Sequence, residues 1–208
     1  MKNLFSILCL LPLILVTLHC FAQIKTQEAK LTDLPPNAYK GKVVKSLSWT
    51  DKNGAHILVL TEVAPFLSQK RKNGDDYYDA ELYAYLYIKK GGTYQLSWKV
   101  TDFIRQCFFD ITTTFQTNAL AITDLDGNGT AETWLVYRLA CRSDVSPSTM
   151  KLIMYEGDRK YAIRGTCKLV MGDESYGGEM NIDSNFKNGL KVFREYAEKK
   201  WKEFEKEF

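Results

Sequence analysis

The segment Asp124-Leu125-Asp126-Gly127-Asn128-Gly129-Thr130-Ala131-Glu132 sets oxygen-bearing side chains at its first, third, fifth and ninth positions, with glycine at the sixth. A chain that turns sharply there can wrap a hard cation in oxygen ligands. Asp124, Asp126 and Asn128 would coordinate through their side chains, Thr130 through its backbone carbonyl, and Glu132 would close the shell. Calcium is the expected occupant, because magnesium demands a small octahedral cage and gives up water reluctantly. The plain alternative is a polar hairpin whose Asx turns need no metal.

Other residues offer weaker chemistry. Between Tyr78 and Ile88 the sequence alternates strictly, with Ala80, Leu82, Ala84, Leu86 and Ile88 on one face of a strand and Asp79, Glu81, Tyr83, Tyr85 and Tyr87 on the other. An exposed Tyr83, Tyr85 and Tyr87 face flanked by acids could stack on a glycan; the alternative is that these rings pack beneath another layer. Asp75, Asp76, Asp79 and Glu81 could supply the paired carboxylates of a glycoside hydrolase, although nearness in sequence does not set their separation in space. His56 is the one histidine outside the N-terminal leader, which excludes a histidine zinc cluster.

The elements around these residues read as strands until the last turn of the chain. Lys42 to Thr50 and Ala55 to Val63 flank an Asn53-Gly54 hairpin signal, and Gly91-Gly92 turns the chain into Thr93 to Val100. Phe108 to Phe115, Leu120 to Thr123, Glu132 to Leu139, Met150 to Glu156 and Tyr161 to Cys167 complete about nine strands. Short turns between them imply antiparallel sheets, as a sandwich or a partial propeller-like meander. From 184 to 207 the period changes: Phe186, Leu190, Phe193, Ala197, Trp201, Phe204 and Phe208 recur three and four apart behind Ser184 as N-cap. That is one amphipathic C-terminal helix, expected to cover a sheet, with a partner-binding seam as the alternative.

The N-terminus carries an address. Lys2 precedes an apolar run from Leu4 to Val16, too short for a comfortable membrane span, and Cys20 and Ala22 fit a signal peptidase site ahead of Gln23. His19 occupies the position where a lipoprotein signal needs a small residue. The expectation is an exported chain, periplasmic or extracellular, with residues 1–22 removed and residues 23–208 forming one domain with no later transmembrane segment. Cys107, Cys141 and Cys167 then remain; three pairings are open, the reading leans to Cys107 with Cys141, and three buried thiols are the alternative. With 28 Lys+Arg against 25 Asp+Glu, the chain lacks the strongly basic footprint of a nucleic-acid binder.

Two resemblances follow from these residues. Asp124 to Glu132 resembles the calcium-binding hairpin loop of FG-GAP and VCBS repeats, D-x-[DN]-x-[DN]-G-x-x-D, departing from it at Glu132, where the family has Asp. An EF-hand would instead need a bidentate Glu at the position Leu135 holds. Thr50 to Gly54 is a degenerate echo of Thr123 to Gly127. More widely, Trp49, Asp79 to Tyr85, Ile122 to Asp126, Glu132 to Trp134, Cys141 to Ser148 and Met154 to Gly157 resemble a family of small exported bacterial proteins labelled for surface polysaccharide biosynthesis. That resemblance implies an envelope role, with a glycan or an envelope protein as partner, and no catalytic residues to carry over.

Overall fold

A computed structural model describes residues 24–70, 74 and 76–207. The leader reading over 1–22 and the acid Asp75 lie outside the described residues. Four strands, β1 (Lys42–Asp51), β2 (Gly54–Gln69), β3 (Tyr77–Lys90) and β4 (Thr93–Cys107), form an antiparallel meander. β5 (Asp110–Phe115), β6 (Ala121–Thr123), β7 (Glu132–Arg142), β8 (Thr149–Glu156) and β9 (Arg159–Thr166) build a second antiparallel sheet. β10 (Lys168–Met171) and β11 (Glu174–Gly177) form a separate two-stranded ribbon, Lys168 also bridges to Lys206, and β12 (Met180–Ile182) joins the second sheet beside β9. The sequence had offered no signal for these last three short strands.

The two sheets pack face to face, so the molecule is a sandwich and not a propeller fragment. Leu58, Leu60, Leu82, Ala84, Leu86 and Trp98 of the first sheet meet Leu135, Tyr137, Leu139, Ile153 and Tyr155 of the second in one buried cluster. Each sheet is then covered on its outer face. Behind the second, Trp134, Met150, Leu152 and Tyr161 bury Phe186, Phe193, Ala197 and Trp201. Behind the first, Ile57, Val59 and the three tyrosines take the segment around Leu31, Leu34, Ala38 and Tyr39. Sheets apolar on both faces need cover on both, and the chain ends supply it.

The C-terminal helix is two helices. α1 (Ser184–Asn188) is capped by Asp183, whose Oδ1 accepts from the Phe186 amide at 2.9 Å, so the N-cap lies one residue ahead of the expected Ser184. The chain then breaks at Gly189 before α2 (Lys191–Phe204). A Cβ on Gly189 would approach the Asn185 carbonyl oxygen to 2.5 Å, a backbone clash that requires glycine, and the Tyr161 ring to 3.1 Å. Leu190, at the break, is exposed, whereas Phe193, Ala197 and Trp201 keep the expected spacing and are buried. No helix of the described residues is long and apolar enough to cross a membrane.

Cys107, the last residue of β4, is joined to Cys141 of β7 by a disulfide with Cα atoms 5.8 Å apart. The bond ties the first sheet to the second. Cys167 is a free, buried thiol, and burial pushes it up to about 11. With the paired cysteines 34 positions apart, chain entropy gives the cross-link a stabilising effect of about 4 kcal/mol. Replacing both Cys107 and Cys141 by serine should therefore lower the denaturant midpoint by that equivalent, while Cys167 in the native wild type resists alkylation. A midpoint shift near zero would show that the bond does not clamp the sheets, and rapid labelling of Cys167 before unfolding would show that its thiol is not buried.

Candidate metal centre

β6 ends at Thr123 and β7 begins at Glu132, and these two residues are paired across the hairpin. The register fixes the site: the last residue of one strand and the first of the next face each other, and the loop between them folds back over the pair. Gly127 at φ 70° and Gly129 at φ 81° permit that reversal. Gly129 has a second reason to lack a side chain, since a Cβ there would lie 3.3 Å from the Lys52 stem.

Asp124, Asp126 and Glu132 converge, each offering a carboxylate oxygen within 4.8 Å of the others. Two oxygens bound to one calcium at about 2.3–2.6 Å are separated by no more than about that span, so one ion could touch all three. Asp124 and Glu132 are buried, at 6% and 0% exposure. Glu132 accepts from Thr123 Oγ1 at 2.6 Å and from the Leu125 amide at 3.0 Å, and Thr123 Oγ1 in turn accepts from Trp134 Nε1 at 2.8 Å. Burial nonetheless dominates, and with the charges of Asp126 and Asp124 nearby it pushes the Glu132 carboxyl up to about 7. Asp124 Oδ2 accepts from the Gly129 amide at 3.1 Å, but its Oδ1 is buried with no hydrogen-bond partner among the described residues. A buried carboxylate oxygen is rarely left so, and the three converging carboxylates could hold a cation there.

Asn128, another expected ligand, lies against this trio through its amide nitrogen. Asn128 Oδ1 accepts from the Thr130 amide at 2.7 Å, and its Nδ2 donates to Asp126 at 2.7 Å and to Glu156 Oε1 at 2.5 Å. As oriented, Asn128 braces the loop with a donor. Thr130 Oγ1 accepts from Asn53 Nδ2 at 3.2 Å. Glu156, which faces Glu132 across the β7–β8 ladder, is a nearby carboxylate that sequence reading missed; only the long-range register could have disclosed it.

The loop also carries the contact between the two sheets. The β1–β2 turn, the weak echo of this loop, docks on it: the Lys52 amide donates to the Gly129 carbonyl at 2.9 Å and Lys52 Nζ to the Asn128 carbonyl at 2.7 Å. Asp51 Oδ2 accepts from the Ala131 amide at 3.0 Å, and its Oδ1 binds His56 Nε2 at 2.9 Å. His56 is buried and stacked on Trp49.

The tyrosine face requires a correction. Tyr83, Tyr85 and Tyr87 do share one face of β3, but they are 6%, 4% and 4% exposed beneath the N-terminal segment, and Tyr87 donates to the Ala38 carbonyl. They do not form an open glycan platform, because the alternation that marked the face could not show that residues 29–39 would lie across it. The neighbouring acids are engaged as well. Arg105 pairs with Asp79 at 3.4 Å and with Glu81 at 2.7 Å, and Lys40 also pairs with Glu81. Burial alone would raise Glu81, but the hydrogen bonds from Lys40, Tyr83 and Arg105 outweigh it and hold the carboxyl at about 2.

Comparison with known proteins finds no matching family model, no matching curated protein and no matching solved structure.

The Glu81 pairing generates a pH prediction. A folded value below the unfolded one gives stability that is present above about pH 4.5 and lost as pH falls toward 2. Glu81→Gln should therefore be less stable than wild type at pH 7 by about 3 kcal/mol, with the difference closing by pH 2 in urea titrations. A gap that persists unchanged at pH 2 would assign the loss to packing and not to the carboxylate.

Proposed function

We propose that this chain is an exported β-sandwich of the cell envelope, stabilised by one calcium ion held by Asp124, Asp126 and Glu132, and that its role is binding or accessory and not catalytic. The observation that carries the reading is the unpartnered, buried Oδ1 of Asp124 beside two further carboxylates. Calcium suits the trio because its coordination is adaptable, so backbone carbonyls and water can complete the shell; an octahedral magnesium cage has no comparable tolerance. Asn128 and the Thr130 carbonyl are the ligands that a small loop adjustment would add, as the resemblance to FG-GAP and VCBS loops implies.

The leader pattern supports export, and a disulfide joining two sheets suits an oxidising compartment. The wider sequence resemblance supplies the surface polysaccharide context. The hydrolase alternative gains no support from Asp79 and Glu81, since Glu81 is held ionised by two cations and offers no proton-bearing acid. The partner-seam alternative gains none from the helix, whose Phe193, Ala197 and Trp201 are spent on the core.

Calcium at a hundred times its dissociation constant should add about 2.7 kcal/mol, a readily measured rise in Tm, and magnesium should reproduce little of it. Asp126→Ala should abolish the rise. Asp124→Asn should do the same while raising the Tm of the chelated protein, because it removes a buried charge that the Gly129 amide meets only in part. A Tm indifferent to both chelator and millimolar calcium would sink the metal reading.

A further inference from the structure

The outer face of the first sheet is covered only in part. Residues 29–39 lie over Tyr83, Tyr85 and Tyr87, and of β4 only Tyr94 joins that cluster. The rest of β4 on this face is open. Its register identifies the residues: Leu96 pairs with Tyr87, Lys99 with Tyr85, Thr101 with Tyr83 and Phe103 with Glu81. Leu96 is 52% exposed and Phe103 47%, and Phe66 of β2, which pairs with Asp79 on the same face, is 39% exposed. An uncovered apolar strip on a sheet that the chain covers elsewhere points to contact with something outside the chain.

The charges select what that is. The Arg105 guanidinium stacks over the Phe103 ring at 4.1 Å and pairs with Asp79 and Glu81, and Lys40 also pairs with Glu81. The two carboxylates lie beneath their partners: their side chains are 14% and 8% exposed, against 38% for Arg105 and 58% for Lys40. Lys99 is exposed, with Nζ 4.6 Å from the Tyr83 ring centre, and no carboxylate among the described residues pairs with it. What meets solvent is therefore cationic and set among apolar side chains. A second copy would bring the same cations, and two such strips face to face would repel. A soluble acidic polymer would answer the charge and leave Leu96, Phe103 and Phe66 in water. A bilayer with anionic headgroups answers both, because apolar side chains enter the boundary between headgroups and acyl chains while the stems of Lys and Arg carry their charges to the phosphates.

We propose that this face of the first sheet docks on an anionic lipid bilayer, with Leu96, Phe103 and Phe66 in the boundary region and Lys40, Lys99 and Arg105 against lipid phosphates. The contact lies on the membrane and does not cross it. It names the partner of the binding role argued above and rests on the envelope setting of that reading, while its chemistry is independent of the ion.

Co-sedimentation with phosphatidylglycerol and with phosphatidylcholine vesicles tests it, in chelator so that no divalent ion bridges protein to lipid. The chain from Gln23 to Phe208 is used, so that the apolar run from Leu4 to Val16 cannot itself insert; the contacts of the fold lie within residues 24–207. Phosphatidylglycerol should bind with half-saturation below about 1 mM lipid, and phosphatidylcholine about tenfold more weakly. Phe103→Ser should weaken binding to phosphatidylglycerol about tenfold and Lys99→Gln about fivefold. Leu190→Ser, which removes an exposed apolar side chain ahead of α2, should change nothing. These side chains are exposed, so the Tm of each variant should stay near that of wild type. Should Phe103→Ser fail to fold, Leu96→Ser carries the same expectation. No binding, equal binding to both lipids, or binding indifferent to Phe103→Ser and Lys99→Gln overturns the proposal. Equal affinity for soluble alginate, untouched by Phe103→Ser, would assign the strip to an acidic polymer and likewise overturn it. Vesicle binding without stabilisation by calcium would leave this proposal standing and remove the ion; calcium stabilisation without vesicle binding would do the reverse.

Discussion

A carboxylate buried without a counter-charge carries a penalty on the order of several kcal/mol, even after the protein relaxes around it. The β6–β7 hairpin accepts that penalty twice, at Asp124 and Glu132, and adds Asp126 within reach of both. The hydrogen bonds supplied by Thr123, Leu125 and Gly129 answer part of the demand and leave Asp124 Oδ1 unmet. A divalent cation would resolve the conflict in one step, by giving three repelling groups a shared partner.

The position of this hairpin makes the balance matter to the whole molecule. Glu132 opens β7 and Cys141 lies near its other end, so the strand is fastened to the first sheet at both extremities. At one end the fastening is the disulfide to Cys107; at the other it is the docking of Asp51, Lys52 and Asn53 onto the metal loop. Thr130 shares in that docking. The loop between β6 and β7 thus sits at a junction of the two sheets, held there by a few short hydrogen bonds.

Much of the strand layout was legible because alternation is a local property. Leu82, Ala84 and Leu86 face the inter-sheet core and Tyr83, Tyr85 and Tyr87 the opposite side, as their order in the chain requires. What alternation does not encode is which face stays in water: residues 29–39 have no regular period, so their place over the tyrosines could not be read. The helix period likewise survived at Phe193, Ala197 and Trp201, while the chain breaks at Gly189, where a side chain would meet the Asn185 carbonyl. At the metal loop, ligand types and spacing were readable along the chain. Glu156, and the docking of the β1–β2 turn, arise from partners tens of residues away; the likeness of Thr50–Gly54 to Thr123–Gly127 hinted at kinship without showing that the two turns touch.

The most direct measurement is the anomalous diffraction signal from crystals grown in calcium. A single peak within bonding distance of Asp124 Oδ1, Asp126 and Glu132 is the predicted result, with the Asp124 oxygen no longer partnerless. Strong diffraction in millimolar calcium with no peak at this hairpin, and with Asp124 Oδ1 instead satisfied by water or a shifted amide, would contradict the account.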